Sequence, residues 1–125
     1  MFLDLKSCSK RVIFYSVLLS LIVAPSFLRA STTAQVKDIR YWSSPDYTRV
    51  VIDLTHPIEF SKNRLSNPDR VYFDLKNASI AKEIKTTLPV GDGILKTVRA
   101  SQFNCDTVRV VFDIEEISDF KSFVI

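Results

Sequence analysis

The sequence predicts an all-β protein, a two-sheet β-sandwich-like module built from a duplicated half-domain and preceded by a cleaved signal peptide. A pattern of Arg, three apolar residues, Asp and one apolar residue occurs at Arg49–Leu54, Arg70–Leu75 and Arg109–Ile114. Strand side chains alternate between two faces, so each copy has one apolar face and one face that carries Arg and Asp. An apolar face backed by an ion-pairing face is typical of antiparallel sheets with one solvated side.

The second observation is an internal repeat. Lys37 and Arg40 correspond to Lys96 and Arg99 at an offset of 59 residues. At an offset of 60, the matching pairs are Asp46 and Asp106, Arg49 and Arg109, Val50 and Val110, Val51 and Val111, Asp53 and Asp113, and Phe60 and Phe120. One inserted residue near Phe103–Cys105 accounts for the change of offset. Two such halves are expected to bury their apolar faces against each other.

The third observation is the beginning of the chain, where residues 1–30 are predicted to be a signal peptide. Basic residues precede an apolar run, Val12–Ala24, and small residues follow it. We expect cleavage after Ala30 or after Ala34. The alternative is an uncleaved membrane anchor, which the run disfavours because it is shorter than the roughly 20 residues that span a bilayer.

The net positive charge of the chain lies within this predicted signal peptide. Four of the 17 basic residues and one of the 14 acidic residues lie within residues 1–30, so 13 of each remain from Ser31 onward. A nucleic-acid-binding domain carries a stripe of basic residues. A segment with equal numbers of basic and acidic residues does not indicate such a stripe. We therefore expect no nucleic-acid partner, and no membrane contact after signal cleavage.

Alternating apolar residues predict the strands, which are, in chain order, Val36–Trp42, Thr48–Leu54, Ile58–Leu65, Arg70–Leu75, Ile94–Ala100, Thr107–Ile114 and a last strand beginning at Phe120. In the first strand, alternation places Val36, Asp38 and Arg40 on one face. It places Lys37, Ile39 and Tyr41 on the other face. Residues typical of turns separate the strands at Ser43–Asp46, Ser66–Asp69, Pro89–Gly93 and Gln102–Asp106. Asn77–Lys85 has helical character, enough for about one turn.

Four separated motifs resemble the AMIN domain: Val36–Leu54, Arg64–Arg70, Leu88–Gly93 and Asp106–Val111. The resemblance covers residues 36–125. It implies a symmetric β-sandwich-like module at the N-terminus of a longer protein, as in bacterial N-acetylmuramoyl-L-alanine amidases. There the module is thought to bind peptidoglycan and to direct the enzyme to the division site. Similar modules precede the secretin pores of pilus machinery.

The residues do not predict catalysis by this chain. An amidase of that kind is a zinc hydrolase, which needs several histidine and carboxylate ligands, whereas His56 is the one histidine of the sequence. We expect no metal and no cofactor. Asp53, Asp74 and Asp113 each follow an Arg by four residues on the same strand face. We therefore interpret them as ion-pair partners rather than catalytic carboxylates.

Binding to peptidoglycan is the predicted function, because aromatic rings cover sugar faces and Arg grips carboxylates. The candidate ligand-binding residues are Arg40, Tyr41, Trp42, Tyr47, Arg99, Gln102 and Phe103. An alternative role for Tyr41 and Trp42 is to cap the core. The predicted function is a non-catalytic targeting module of an amidase in the periplasm or cell envelope, with envelope or division proteins as further partners. The alternative is a protein-interaction module of a secretin or other envelope assembly.

Overall fold

A computed structural model describes residues 32–116 and 119–125. The predicted signal peptide at residues 1–30 lies outside them. The described residues form eight strands and no helix. The strands are β1 (Ala34–Ser43), β2 (Thr48–Leu54), β3 (Phe60–Leu65), β4 (Arg70–Lys76), β5 (Ala78–Ile80), β6 (Thr87–Pro89), β7 (Leu95–Gln102) and β8 (Thr107–Ile114). The predicted all-β fold is confirmed, and the bounds predicted for β2 and β8 are those observed.

The strands form two sheets. The first has three strands in the order β2-β1-β5, and the second has five in the order β3-β4-β8-β7-β6. All neighbours are antiparallel except β1 and β5, which are parallel. The β3–β4 hairpin belongs to the first half of the sequence but pairs with β8 of the second half. Strands from both halves of the repeat are therefore paired within the second sheet.

The core lies between the sheets and is built from the apolar faces that alternation predicts. Val71 and Leu75 of β4 and Val110 and Ile114 of β8 are buried. Phe73 and Phe112 pack edge to face, with ring centroids 5.3 Å apart. Aromatic pairs in this geometry gain attraction beyond simple burial. The assignment of the apolar and polar faces in these strands is confirmed.

The β1–β2 and β7–β8 hairpins are the duplicated units, and they pair in equivalent registers. Ile39 faces Ile52 in the first hairpin, and Val98 faces Phe112 in the second. These partners differ by the same 59 and 60 residues as the sequence repeat. The duplication therefore extends to the pairing of the backbone.

Both hairpins contain an irregularity that simple alternation does not predict. The register of β1 shifts between Val36 and Asp38, so that Val36 and Ile39 are both buried although they are three residues apart. The prediction that Val36 and Ile39 lie on opposite faces is wrong, because an extra residue at a β-bulge reverses the alternation. The equivalent shift in β7 lets Leu95 and Val98 share the core.

Two further segments differ from their predictions. Ala78–Ile80 forms β5 along the edge of β1 instead of a helical turn, and Ala78 is fully buried there. Burial against β1 overrides the weak helical pattern. Residues 120–125 form no strand, and Phe120 instead packs its ring near Phe73, with centroids 6.3 Å apart.

Candidate functional site

Two Arg–Asp pairs lie at equivalent positions on the outer faces of the two sheets. In the first sheet, Arg40 donates from Nε and Nη2 to the two carboxylate oxygens of Asp53, at 2.7 and 2.9 Å. In the second, Arg99 donates to Asp113 in the same way, at 2.8 and 2.9 Å. Each pair is a diagonal cross-strand contact two residues past the bulge. The repeat therefore presents the same bidentate pair twice.

These ion pairs fix the positions of the two arginine side chains and leave some of their N–H groups available for other hydrogen bonds. The hydrogen bonds that Arg40 donates to Asp53 raise the pKa of Arg40, and those that Arg99 donates to Asp113 raise the pKa of Arg99, so both guanidinium groups are charged. Each guanidinium has five N–H donors, of which the pair uses two. The arginine side chains remain 47% and 48% exposed. Each can therefore donate further hydrogen bonds to an anionic or carbonyl group in solution.

The first face carries exposed aromatic residues beside its arginine. The guanidinium carbon of Arg40 lies 5.3 Å from the ring centroid of Trp42, and Trp42 is 50% exposed. Tyr47, in the turn of the hairpin, is also exposed. Tyr41 is exposed too, and its hydroxyl lies 3.4 Å from the carbonyl oxygen of Pro89. Trp42 thus stacks on Arg40 in solvent, and Tyr47 is exposed in the turn of the same hairpin.

The second face has a different aromatic arrangement, which the sequence reasoning missed. Arg109 lies against two rings, with its guanidinium carbon 4.3 Å from the centroid of Tyr72 and 3.7 Å from that of Phe103. It also donates to both oxygens of Asp74, at 2.7 and 2.9 Å. This bond holds the pKa of Asp74 below its usual range, against the opposing effect of desolvation. Arg109, Tyr72 and Phe103 therefore form a charged and aromatic cluster on the second sheet.

A signal for this cluster was present in the repeat. Arg109 corresponds to Arg49 in the repeat. Tyr72 lies on the polar face of its strand, where its ring can stack on a charged side chain. Phe103 lies beside the single inserted residue of the second half. What the sequence did not show is that β4 and β8 are neighbours, which brings Tyr72 to Arg109.

Gln102 has its side-chain amide bonded to the chain itself. Its Nε2 lies 3.1 Å from the carbonyl oxygen of Ala78, 2.9 Å from that of Asn104 and 3.3 Å from that of Thr107. Its Oε1 accepts from the amide of Ile80. These bonds join the β7–β8 turn to β5. The side chain of Gln102 thus holds the turn that carries Phe103, and its predicted part in ligand binding stays a prediction.

The three aspartates of the repeated pattern are ion-paired, as the sequence predicts. Their partners are arginines of neighbouring strands and not the arginines four residues earlier on the same strand. His56 contacts the Thr55 hydroxyl and the carbonyl oxygen of Thr32 through its two ring nitrogens. Residues 32–116 and 119–125 contain no group of three His, Cys, Asp or Glu side chains placed to hold a metal ion. Within the same residues, no helix has the length and apolar character needed to cross a membrane.

The fold and these faces define a duplicated β-sandwich module with an Arg–Asp pair and exposed aromatic rings on each outer face. The sequence profile of the AMIN domain matches residues 38–125. The chain belongs to the AMIN domain family, whose domain is a non-catalytic module.

Two curated relatives carry amidase names. The chain is 29% identical over 98 residues to N-acetylmuramoyl-L-alanine amidase AmiC of Escherichia coli, which covers 76% of this chain and 24% of the relative. It is 27% identical over 97 residues to the AmiC of Neisseria meningitidis serogroup B, covering 75% of this chain and 23% of the relative. The chain thus spans about a quarter of the length of these relatives.

Proposed function

We propose that this chain is a non-catalytic peptidoglycan-binding module that targets a cell-wall N-acetylmuramoyl-L-alanine amidase within the periplasm or cell envelope. Membership of the AMIN family and the amidase names of the two relatives support this proposal. The observation that carries it is the pair of equivalent arginines, Arg40 and Arg99, each held by an aspartate and each half exposed.

The chemistry of the two faces suits a polymer of sugars and acidic peptides. Stem peptides present carboxylates and backbone carbonyls, which the remaining N–H groups of Arg40 and Arg99 can bind. Sugar rings present apolar faces that pack on aromatic rings. Trp42, Tyr47 and Phe103 have exposed rings and are the residues that we propose for this contact.

The two faces act separately in this proposal. They are the outer surfaces of two sheets that pack core to core, so they point away from each other. A single short glycan segment does not lie on both. The module therefore engages two stretches of the cell-wall network, and the joint affinity exceeds that of either face by avidity.

Co-sedimentation with purified peptidoglycan sacculi tests the proposal. The variants are Arg40→Ala, Arg99→Ala and the double variant, compared with Arg64→Ala. Arg64 is a matched control because it forms a similarly exposed ion pair, with Asp69, at the β3–β4 turn and off both faces. Circular dichroism confirms that each variant is folded.

We expect each single substitution at Arg40 or Arg99 to weaken pelleting by about tenfold, as loss of a charge-assisted hydrogen bond does. The double variant should nearly lose pelleting, while Arg64→Ala should pellet like the wild type. A folded double variant that pellets normally would remove these arginines from the binding site. A wild type that does not pellet would overturn the proposal and favour a protein-interaction module of an envelope assembly.

A further inference from the structure

The middle of the outer face of the second sheet, on β4, β8 and β7, carries more arginine than aspartate. The charged residues there are Arg70, Asp74, Arg99, Arg109 and Asp113. Asp74 binds Arg109 and Asp113 binds Arg99, each through both carboxylate oxygens. Among residues 32–116 and 119–125, Arg70 takes part in no ion pair. Arg70 therefore has a positive charge that no carboxylate of this face compensates.

Arg70 lies opposite an aspartate whose oxygens are already bound. In the β4–β8 register Arg70 faces Asp113, a position from which opposite charges on neighbouring strands can pair. Arg99 reaches the same carboxylate from β7 and donates one hydrogen bond to each oxygen, at 2.8 and 2.9 Å. The Nε of Arg70 is buried and has no acceptor within the part of the chain that the structure describes. Because buried N–H groups nearly always have an acceptor, the guanidinium of Arg70 is left with unmet hydrogen-bonding capacity.

The surroundings of Arg70 leave room for a small anion. Val111 lies at the centre of the face, between Tyr72 of β4 and Arg99 of β7 in the register, and has the shortest side chain of the three. Arg70 and Arg99 lie on two neighbouring sides of Asp113, and Arg70 is partly exposed. A ligand that rests on Val111 can therefore meet the terminal N–H groups of both arginines.

Building on the proposed function, we propose that Arg70 and Arg99 together bind one carboxylate of a peptidoglycan stem peptide above Val111. The planar guanidinium fork matches a carboxylate, and its charge is delocalised, so an anion at the terminal nitrogens compensates the whole group. An amide in place of that carboxylate brings no charge to Arg70. The second face thus selects stem peptides with free carboxylates over amidated ones.

Titration of the purified, isotope-labelled chain with two synthetic peptides, followed by NMR, tests this site. One peptide is Ala-γ-Glu-Lys-Ala with free carboxylates, and the other is the same peptide with each carboxylate converted to an amide. We expect the acidic peptide to bind at least about tenfold more tightly, as the loss of a charge-assisted hydrogen bond predicts. The amide signals that shift should centre on Val111 and its neighbours in β4 and β7.

Three variants separate the charge of Arg70 from the overall charge of the chain. Arg70→Gln removes the charge, and we expect the preference for the acidic peptide to fall below about threefold. Arg70→Lys keeps the charge, and we expect weaker binding with the preference retained. Lys62→Gln is the control, because it removes the same charge from β3, where Lys62 lies over the ring of Phe120. We expect this control to behave like the wild type, and the spectrum of each variant shows whether it is folded.

A wild type that pellets with sacculi but binds both peptides alike overturns this inference and leaves the proposed function intact. So does a folded Arg70→Gln variant that discriminates like the wild type, which is the result expected if water alone satisfies Arg70. Signals that shift only away from Val111 also overturn it. A wild type that neither pellets nor binds either peptide overturns the proposed function, and this inference with it.

Discussion

Asp92 is one of the residues that join the two sheets outside the core. Its carboxylate accepts hydrogen bonds from the hydroxyls of Ser43 and Thr48, at the turn of the first hairpin. It also accepts from the amides of Ile94 and Leu95, at 3.0 and 2.9 Å, at the start of the second hairpin. Desolvation pushes its pKa upward, but the bonds from the Leu95 amide, the two hydroxyls and the Ile94 amide hold the pKa well below its usual range. A single carboxylate thus joins the turn of one repeat to the start of the other.

We expect Asp92→Ala to lower the free energy of unfolding by about 2–3 kcal/mol, since hydrogen bonds to a charged group are lost. Because the folded-state pKa is depressed, the contribution of the charge is fully present above the unfolded pKa of about 4 and is lost as pH falls toward the folded value. Urea unfolding at several pH values measures this. The stability difference between wild type and Asp92→Asn should shrink as pH falls below about 4. A difference that is constant with pH, or one matched by Asp46→Asn in the exposed turn, would show that the charge of Asp92 is not responsible.

At the scale of elements, the two hairpins have the same sequence pattern and the same register but different surroundings. Among residues 32–116 and 119–125, β8 has a hydrogen-bonded neighbour on both sides, whereas β2 has one. Edge strands leave part of their backbone N–H groups to solvent. The two hairpins therefore differ in how well their backbone N–H groups are protected from solvent. They do not differ in the intrinsic strand propensity of their residues.

We expect amide hydrogen exchange to be slow throughout β8 and fast at alternate residues of β2, because amides on an open edge exchange without unfolding. The measurement is exchange followed by NMR. Equal protection in β2 and β8 would contradict this difference between the two strands.

For the whole molecule, the balance of charge determines how binding responds to salt. The segment from Ser31 onward has 13 basic and 13 acidic residues, so it has no net attraction to an anionic polymer. The charges of the two faces act at short range, through ion-paired arginines already held in place. Screening over a Debye length of about 10 Å weakens long-range attraction far more than a direct hydrogen bond.

We therefore expect pelleting with sacculi to fall by less than about tenfold when ionic strength rises from about 0.05 to about 0.5 M. The measurement is the bound fraction at several salt concentrations for the wild type and Arg64→Ala. A steep loss, of the kind that many exposed point charges produce, would show that diffuse attraction rather than the two arginine sites governs binding.

For most strands, the amino-acid sequence predicts correctly which side chains face the core and which face solvent. The period of two in the repeated Arg-x-x-x-Asp pattern is a local property, and it assigned Val110 and Ile114 to the interior correctly. The offset of 59 residues between the two halves of the repeat also identified Arg40 and Arg99 as equivalent positions. Both signals can be recognised without knowing which strands are neighbours.

The register of the strands and the identity of their neighbours cannot be read from local patterns and are seen in the folded chain. The bulge at Val36 and Asp38, and the choice of Arg40 rather than Arg49 as the partner of Asp53, depend on how β1 lies along β2. The stacking of Arg109 against Tyr72 depends on β4 crossing to the second half. These contacts join residues far apart in sequence. Their geometry follows from the pairing of strands within each sheet, which no local pattern encodes.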